Sequence, residues 1–226
     1  MSVRSYGDEF AELALRLHDT PSYDETVDKV LEFAVKALNC AYAGIILVHD
    51  GPRVETIAAT HPLVADLDRI QMETGEGPDV HLLAEREAVR IEDVRTDGRW
   101  PGWAREVEAK GVRSMLGTRL STSKTLIGSL NFYDPAPGCF DVEDVDVAHM
   151  LARHAAVALE RARDLEHLWR AIDARNLVGQ AQGVLMERFG ITADQAFAVL
   201  RRYSQDNNIK LAQVAQRLVS SGELPD

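Results

Sequence analysis

Three observations predict an α+β fold for this chain. Apolar spacing switches from helical to alternating and back along the first 135 residues. Pairs of β-prone runs sit at both ends of that stretch, with short helical patterns between them. From Val142 a helical pattern then begins that meets no proline before Pro225. Strand pairs flanking helices indicate an antiparallel sheet with helices packed on it, and they disfavour a parallel nucleotide-binding fold.

Helices are predicted over residues 8–18 and 23–38. The second opens at Ser22-Tyr23-Asp24-Glu25, a capping-box spacing in which hydroxyl and carboxylate each satisfy an orphan backbone amide. Its apolar positions Val27, Val30, Leu31, Ala34, Val35 and Leu38 recur at helical spacing. The period then changes. Residues 42–49 and 54–60 flank the turn Asp50-Gly51-Pro52-Arg53 and read as a hairpin. Short helices are predicted near 63–71, 79–86 and 102–110, with a short strand at 88–91. Two more strands, Val112 to Leu120 and Leu126 to Tyr133, are joined by the polar run Ser121-Thr122-Ser123-Lys124-Thr125.

From Val142 onward two apolar series repeat every seven residues: Ala148, Ala155, Ala162 and Trp169, and Leu151, Ala158, Leu165 and Ile172. That is a coiled-coil seam. The first half of this helix is expected to pack on its own sheet. From about Leu159 it is expected to pair with a second chain, because Leu165, Trp169 and Ile172 would otherwise be exposed apolar bulk. The helix should end at Phe189, with Gly190 as a left-handed stop. Thr192 and Gln195 form a second capping box. Ala196, Phe197, Leu200 and Tyr203 form the expected buried stripe of the next helix, and Leu211, Val214, Ala215, Leu218 and Val219 that of the last.

At 226 residues, 46% of them hydrophobic and 27% charged, the chain has an ordinary globular composition. Its longest apolar run, Ala43 to Val48, is far short of the roughly 20 residues a membrane span needs. The acidic N-terminus lacks the apolar core of an export signal, so a cytoplasmic location is expected. Net charge is −11, but it divides unevenly. Residues 168–226 hold seven basic and six acidic groups, which leaves 18 basic against 30 acidic in residues 1–167. A chain this acidic would repel polyanions, yet its near-neutral tail leaves room for a local basic face.

No catalytic constellation is visible. The seven histidines include no HExxH pair, and no P-loop or nucleophile elbow occurs. His149 and His154 are five apart, slightly off the same-face spacing. Cys40 and Cys139 match neither a metal-ligand spacing nor a close redox pair, and they read as small buried hydrophobes. No cofactor, metal site or enzymatic turnover is expected.

The run Arg175-Asn176-Leu177-Val178-Gly179-Gln180-Ala181-Gln182-Gly183-Val184-Leu185-Met186-Glu187-Arg188-Phe189-Gly190, continued by Thr192 to Arg201 and Lys210 to Ala215, resembles the ANTAR domain, the RNA-binding output module of bacterial transcription antiterminators. The front region is similar to a GAF sensor domain, on its helix-strand order, on Gly75-Glu76-Gly77-Pro78, on Gly111-Val112-Arg113-Ser114 and on Ile127-Gly128-Ser129-Leu130-Asn131-Phe132-Tyr133. In that order the strings look like the GAF–ANTAR pairing. The resemblance implies a sensor over 1–160, a long helix over 142–190 shared as a coiled-coil neck, and an RNA-binding domain closing as a three-helix bundle over 166–226. It implies a homodimer that holds hairpins in an mRNA leader so that a terminator stem does not form.

The implied RNA-binding residues are Arg175, Asn176, Gly179, Gln182, Gly183, Arg188, Arg201 and Arg202, and the implied dimer contacts are Leu165, Trp169 and Ile172. Arg offers guanidinium forks and a flat stacking surface, Asn and Gln pair with base edges, and glycine admits a close backbone. Gln182 departs from the pattern, since many such modules carry Lys there. Asp79 also departs, standing where many similar sensors carry Cys. Two rivals remain: a GAF-fold enzyme of the methionine sulfoxide reductase kind, whose clustered cysteines Cys40 and Cys139 do not reproduce, and a sensor of another protein, with the tail serving for dimerisation.

Overall fold

A computed structural model describes residues 12–17, 20, 22–48, 54–84 and 88–223. The chain divides into two compact units, residues 1–163 and 164–226. The expected turn at 50–53 and the expected helix ends at 8–11, 18 and 85–86 lie outside the described residues.

In the first unit, helices α1 (residues 12–17) and α2 (Tyr23–Leu38) precede the strands β1 (Tyr42–Val48) and β2 (Val54–Ala59). Ser22 caps α2 by accepting the Glu25 amide, and Asn39 ends the helix in the left-handed conformation. Three short helices follow, α3 (Pro62–Thr74), α4 (Pro78–Ala84) and α5 (Pro101–Ala109), with β3 (Ala88–Ile91) between the last two. Each of these helices opens on a proline, whose missing N–H would have had no partner there anyway. Strands β4 (Ser114–Ser121) and β5 (Leu126–Asp134) complete a five-stranded antiparallel sheet in the order β2-β1-β5-β4-β3. Val112, expected as the first residue of β4, is buried just ahead of it.

Alternation along the strands splits the core in two. Ala43 and Ile45 of β1, Leu116 and Leu120 of β4, and Leu130 and Phe132 of β5 pack with α1, α2 and the first half of α6 (Val142–Phe189). On the opposite face Met115 and Tyr133 pack under Val64 and Leu67 of α3, Leu82 of α4 and Trp103 and Val107 of α5. Gly128 shows how tightly β5 and β1 approach: an added Cβ would lie 1.8 Å from the Ile46 carbonyl oxygen.

The 48-residue helix α6 runs through the division between the units. Its early seam, Ala148, Leu151 and Ala155, is buried on the sheet. In the second unit α7 (Ala193–Asp206) and α8 (Leu211–Ser221) join the end of α6 around Ala181, Leu185, Ala196, Leu200, Val214, Ala215 and Leu218. Gly190 is left-handed at φ 63° and donates to the Met186 carbonyl, and the Thr192–Gln195 capping box is formed in both directions. Phe197 is not buried as expected but 37% exposed. It lies about 100° around α7 from Ala196, off the stripe that Ala196 and Leu200 present to the core.

Candidate functional site

The second unit sorts the end of α6 into two sides. Leu177, Val178, Ala181, Val184 and Leu185 face the bundle. Arg175, Asn176, Gly179 and Gly183 are exposed and, with half-buried Gln182, fall on the opposite side by helical spacing. Glycine costs a helix interior roughly 0.5–1 kcal/mol relative to alanine. Among the described residues nothing requires it here: a Cβ at Gly179 or Gly183 would meet no atom within 4 Å.

Two of the expected contact residues are already engaged within the unit. Gln182 Nε2 donates to the Ala193 carbonyl at the start of α7, 3.0 Å away. Arg188 Nη1 donates to the Gly222 carbonyl at 2.6 Å, satisfying an orphan acceptor at the end of α8. Arg188 therefore lies on the bundle side of α6, apart from Arg175 and its neighbours. Arg201 and Arg202 are exposed on α7, and Arg202 makes only a loose 3.5 Å pair with Asp206. Ahead of these residues, Leu165, Trp169 and Ile172 are 41%, 63% and 39% exposed, and Leu168 joins them at 56%. Their i, i+3, i+4, i+7 spacing makes one apolar stripe.

The first unit holds a buried polar cluster that sequence patterns did not reveal. Asp79 of α4 is fully buried and accepts from Ser129 Oγ at 2.6 Å, from Asn131 Nδ2 at 2.9 Å and from Gln71 Nε2 at 2.5 Å. Gln71 Oε1 in turn accepts the Asp79 amide at 2.8 Å, so one side chain of α3 holds the start of α4. Gly77 makes this clasp possible. Its φ of 147° and the 2.4 Å from an ideal Cβ to Gln71 Oε1 both exclude a side chain.

A second buried carboxyl, Asp68, accepts from Thr56 Oγ1 at 2.7 Å and Tyr133 Oη at 3.1 Å. Burial, and then the neighbouring Asp79, push Asp68 up to about 7. Burial also raises Asp79, against the pull of its donors Ser129, Asn131 and Gln71. The one clue in the sequence was two polar residues, Ser129 and Asn131, on an otherwise apolar strand.

The thiols are poor nucleophiles. Burial pushes Cys40 up to about 12, and burial together with Asp134 pushes Cys139 up to about 11. Among the described residues no three His, Cys, Asp or Glu side chains gather as a metal site requires, and no helix is long and apolar enough to cross a membrane.

Comparison with known proteins identifies both units. A GAF domain family model matches residues 20–160 and an ANTAR domain model matches residues 166–219. No curated protein sequence matches the chain. Among solved structures, the chain is similar to the GAF domain of an Acinetobacter phosphoenolpyruvate-protein phosphotransferase (15% identity, 74% of this chain and 99% of that one, TM-score 0.58). It is also similar to the GAF3 domain of a Synechocystis sp. protein in its photoproduct state (19%, 65% and 99%, TM-score 0.54). A third is free methionine-R-sulfoxide reductase of Neisseria meningitidis with its substrate (17%, 73% and 95%, TM-score 0.56). At these identities the likeness is one of fold.

Proposed function

We propose that this chain, which belongs to the GAF domain family and carries an ANTAR domain over residues 166–219, is an RNA-binding transcription antitermination regulator that acts as a homodimer. The observation that carries this reading is the pair Gly179 and Gly183. Two helix-interior glycines without an internal role, flanked by Arg175, Asn176 and Gln182, suit a surface approached closely by another backbone. Arg175 supplies a phosphate or stacking contact, and Asn176 and Gln182 supply base-edge bonds. Arg201 and Arg202 add charge on α7, while Arg188 serves first to hold the end of α8.

Seven basic residues in the tail are few for bulk electrostatic capture. Affinity then comes from two linked bundles gripping two hairpins of one leader. The stripe of Leu165, Trp169 and Ile172, extended by Leu168, is the seam that joins the chains in parallel. The GAF unit acts as a sensor by binding, since its two thiols are held in the unreactive form.

The test is RNA affinity at physiological salt. A correctly spaced pair of hairpins should bind much more tightly than one hairpin, and Arg175→Ala should weaken binding by about 1–3 kcal/mol. Equal affinity for paired hairpins and for unstructured RNA of the same length would overturn the reading. Replacing Leu165 and Trp169 together with Glu should give monomers in light scattering and remove the preference for two hairpins. A doubly substituted protein that stays dimeric at micromolar concentration would exclude the seam.

A further inference from the structure

In the first unit a cleft of about 840 Å³ opens between the β4–β5 turn and α6. Arg119 and Lys124 line it from the hairpin, and His149, Arg153, Val157 and Glu160 from the helix. The four helix residues recur at helical spacing and share one side of α6.

Two independent features mark this cleft. The first is charge. Residues 1–167 hold 30 acidic groups against 18 basic ones, yet here three cations and a histidine face a single carboxylate. Neither Arg119, Lys124 nor Arg153 has an ion-pair partner among the described residues, although five other arginines of the first unit, Arg69, Arg90, Arg95, Arg99 and Arg113, do. The second is two orphaned polar atoms: Arg119 Nε and His149 Nε2 are buried with no hydrogen-bond partner. Buried ring and guanidinium nitrogens are normally paired, and two unpaired ones lining a single cleft are consistent with a site that takes a hydrogen-bonding ligand.

We infer that this cleft binds a phosphate-bearing small molecule, and that this molecule is the effector of the sensor. Guanidinium forks match phosphate oxygens two at a time, lysine adds a point charge, and the hydroxyls of the turn donate further bonds. Three positive charges against Glu160 leave a surplus that suits a dianion. The volume falls within the usual range of about 300–1,000 Å³ for small-molecule sites. Glu160 accepts from an N–H or O–H of the remainder of the ligand, and Val157 gives it an apolar wall. Binding here would bridge the sheet to α6, the helix that continues into the RNA-binding unit. The regulatory meaning rests on the antitermination reading, whereas the binding does not.

Calorimetric titration of the full chain with inorganic pyrophosphate tests the site. One saturable site per chain is expected. Lys124→Gln, on an exposed turn where it does not threaten folding, and Arg153→Gln should each weaken it by about tenfold. Arg105→Gln, at an exposed position of α5, should leave it unchanged. The same variants should retain their affinity for a two-hairpin RNA. Failure to saturate at millimolar pyrophosphate, or equal binding by all variants, overturns the proposal. A loss of RNA affinity in Lys124→Gln and Arg153→Gln without pyrophosphate binding also overturns it, because the cleft would then be a track for the RNA backbone. Since pyrophosphate binding is read without RNA, its failure is distinguishable from failure of the tail to bind hairpins.

Discussion

The two units of this chain keep their polarity in opposite places. In residues 1–163, Asp68, Gln71, Asp79, Ser129 and Asn131 are buried and bonded to one another or to Thr56 and Tyr133 across the sheet and two helices. In residues 164–226 the buried residues among those described are all apolar, and Arg175, Asn176, Arg201 and Arg202 stand outside. Interior polarity is demanding, because every donor and acceptor must meet a partner in low dielectric, and so it fixes one arrangement of elements. Exterior polarity leaves the fold almost indifferent and is free to suit a partner. The sensor is thus specified by its inside and the tail by its outside.

The largest effect should come from breaking the sensor's interior. Gly128→Ala places a Cβ 1.8 Å from the Ile46 carbonyl, a backbone atom that cannot turn aside without opening the β1–β5 pairing. A loss of about 3 kcal/mol or more is expected, in the range of severe overpacking, read as a collapse of the sensor's urea midpoint. A midpoint within experimental error of the parent would show that the sheet is far more yielding than its register implies.

A smaller effect, and one that sharpens the contrast, concerns the paired carboxyls. Asp68 in the folded chain titrates near 7, above the ordinary unfolded value of about 3.9. Its contribution to stability is therefore fully present below about pH 4 and is lost as pH rises through about 7, since the folded state binds the extra proton. The sensor should melt at progressively lower temperature between about pH 5 and 7, and Asp68→Asn should flatten that slope. An unaltered slope in the variant would assign the pH dependence to other groups.

The smallest effect has opposite signs for stability and for function. Gly179→Ala and Gly183→Ala fill open space on α6, so each should stabilise the tail by about 0.5–1 kcal/mol. Each should nevertheless weaken hairpin binding by obstructing the approaching backbone. If thermal stability rises and RNA affinity does not move, the glycines are not part of the contact face.

What the sequence determined by itself is local. The Ser22 cap, the Thr192–Gln195 capping box, the Gly190 stop and the span of α6 all depend on bonds between residues within about four positions, and periodicity records these directly. Strand alternation likewise announced the sheet. The same local signals placed Arg175, Asn176, Gly179, Gln182 and Gly183 together, because they lie within three turns of one helix. Only tertiary structure decided the rest. Ser129 and Asn131 reach Asp79 across 50 and 52 residues, Tyr133 reaches Asp68 across 65, and Arg188 finds Gly222 across 34. Phe197, expected in the core, stands off the stripe that Ala196 and Leu200 present to it. Contacts of that range leave no repeat in the sequence. They exist because chain closure brings separate elements face to face, where a buried polar group must find whatever partner the fold supplies.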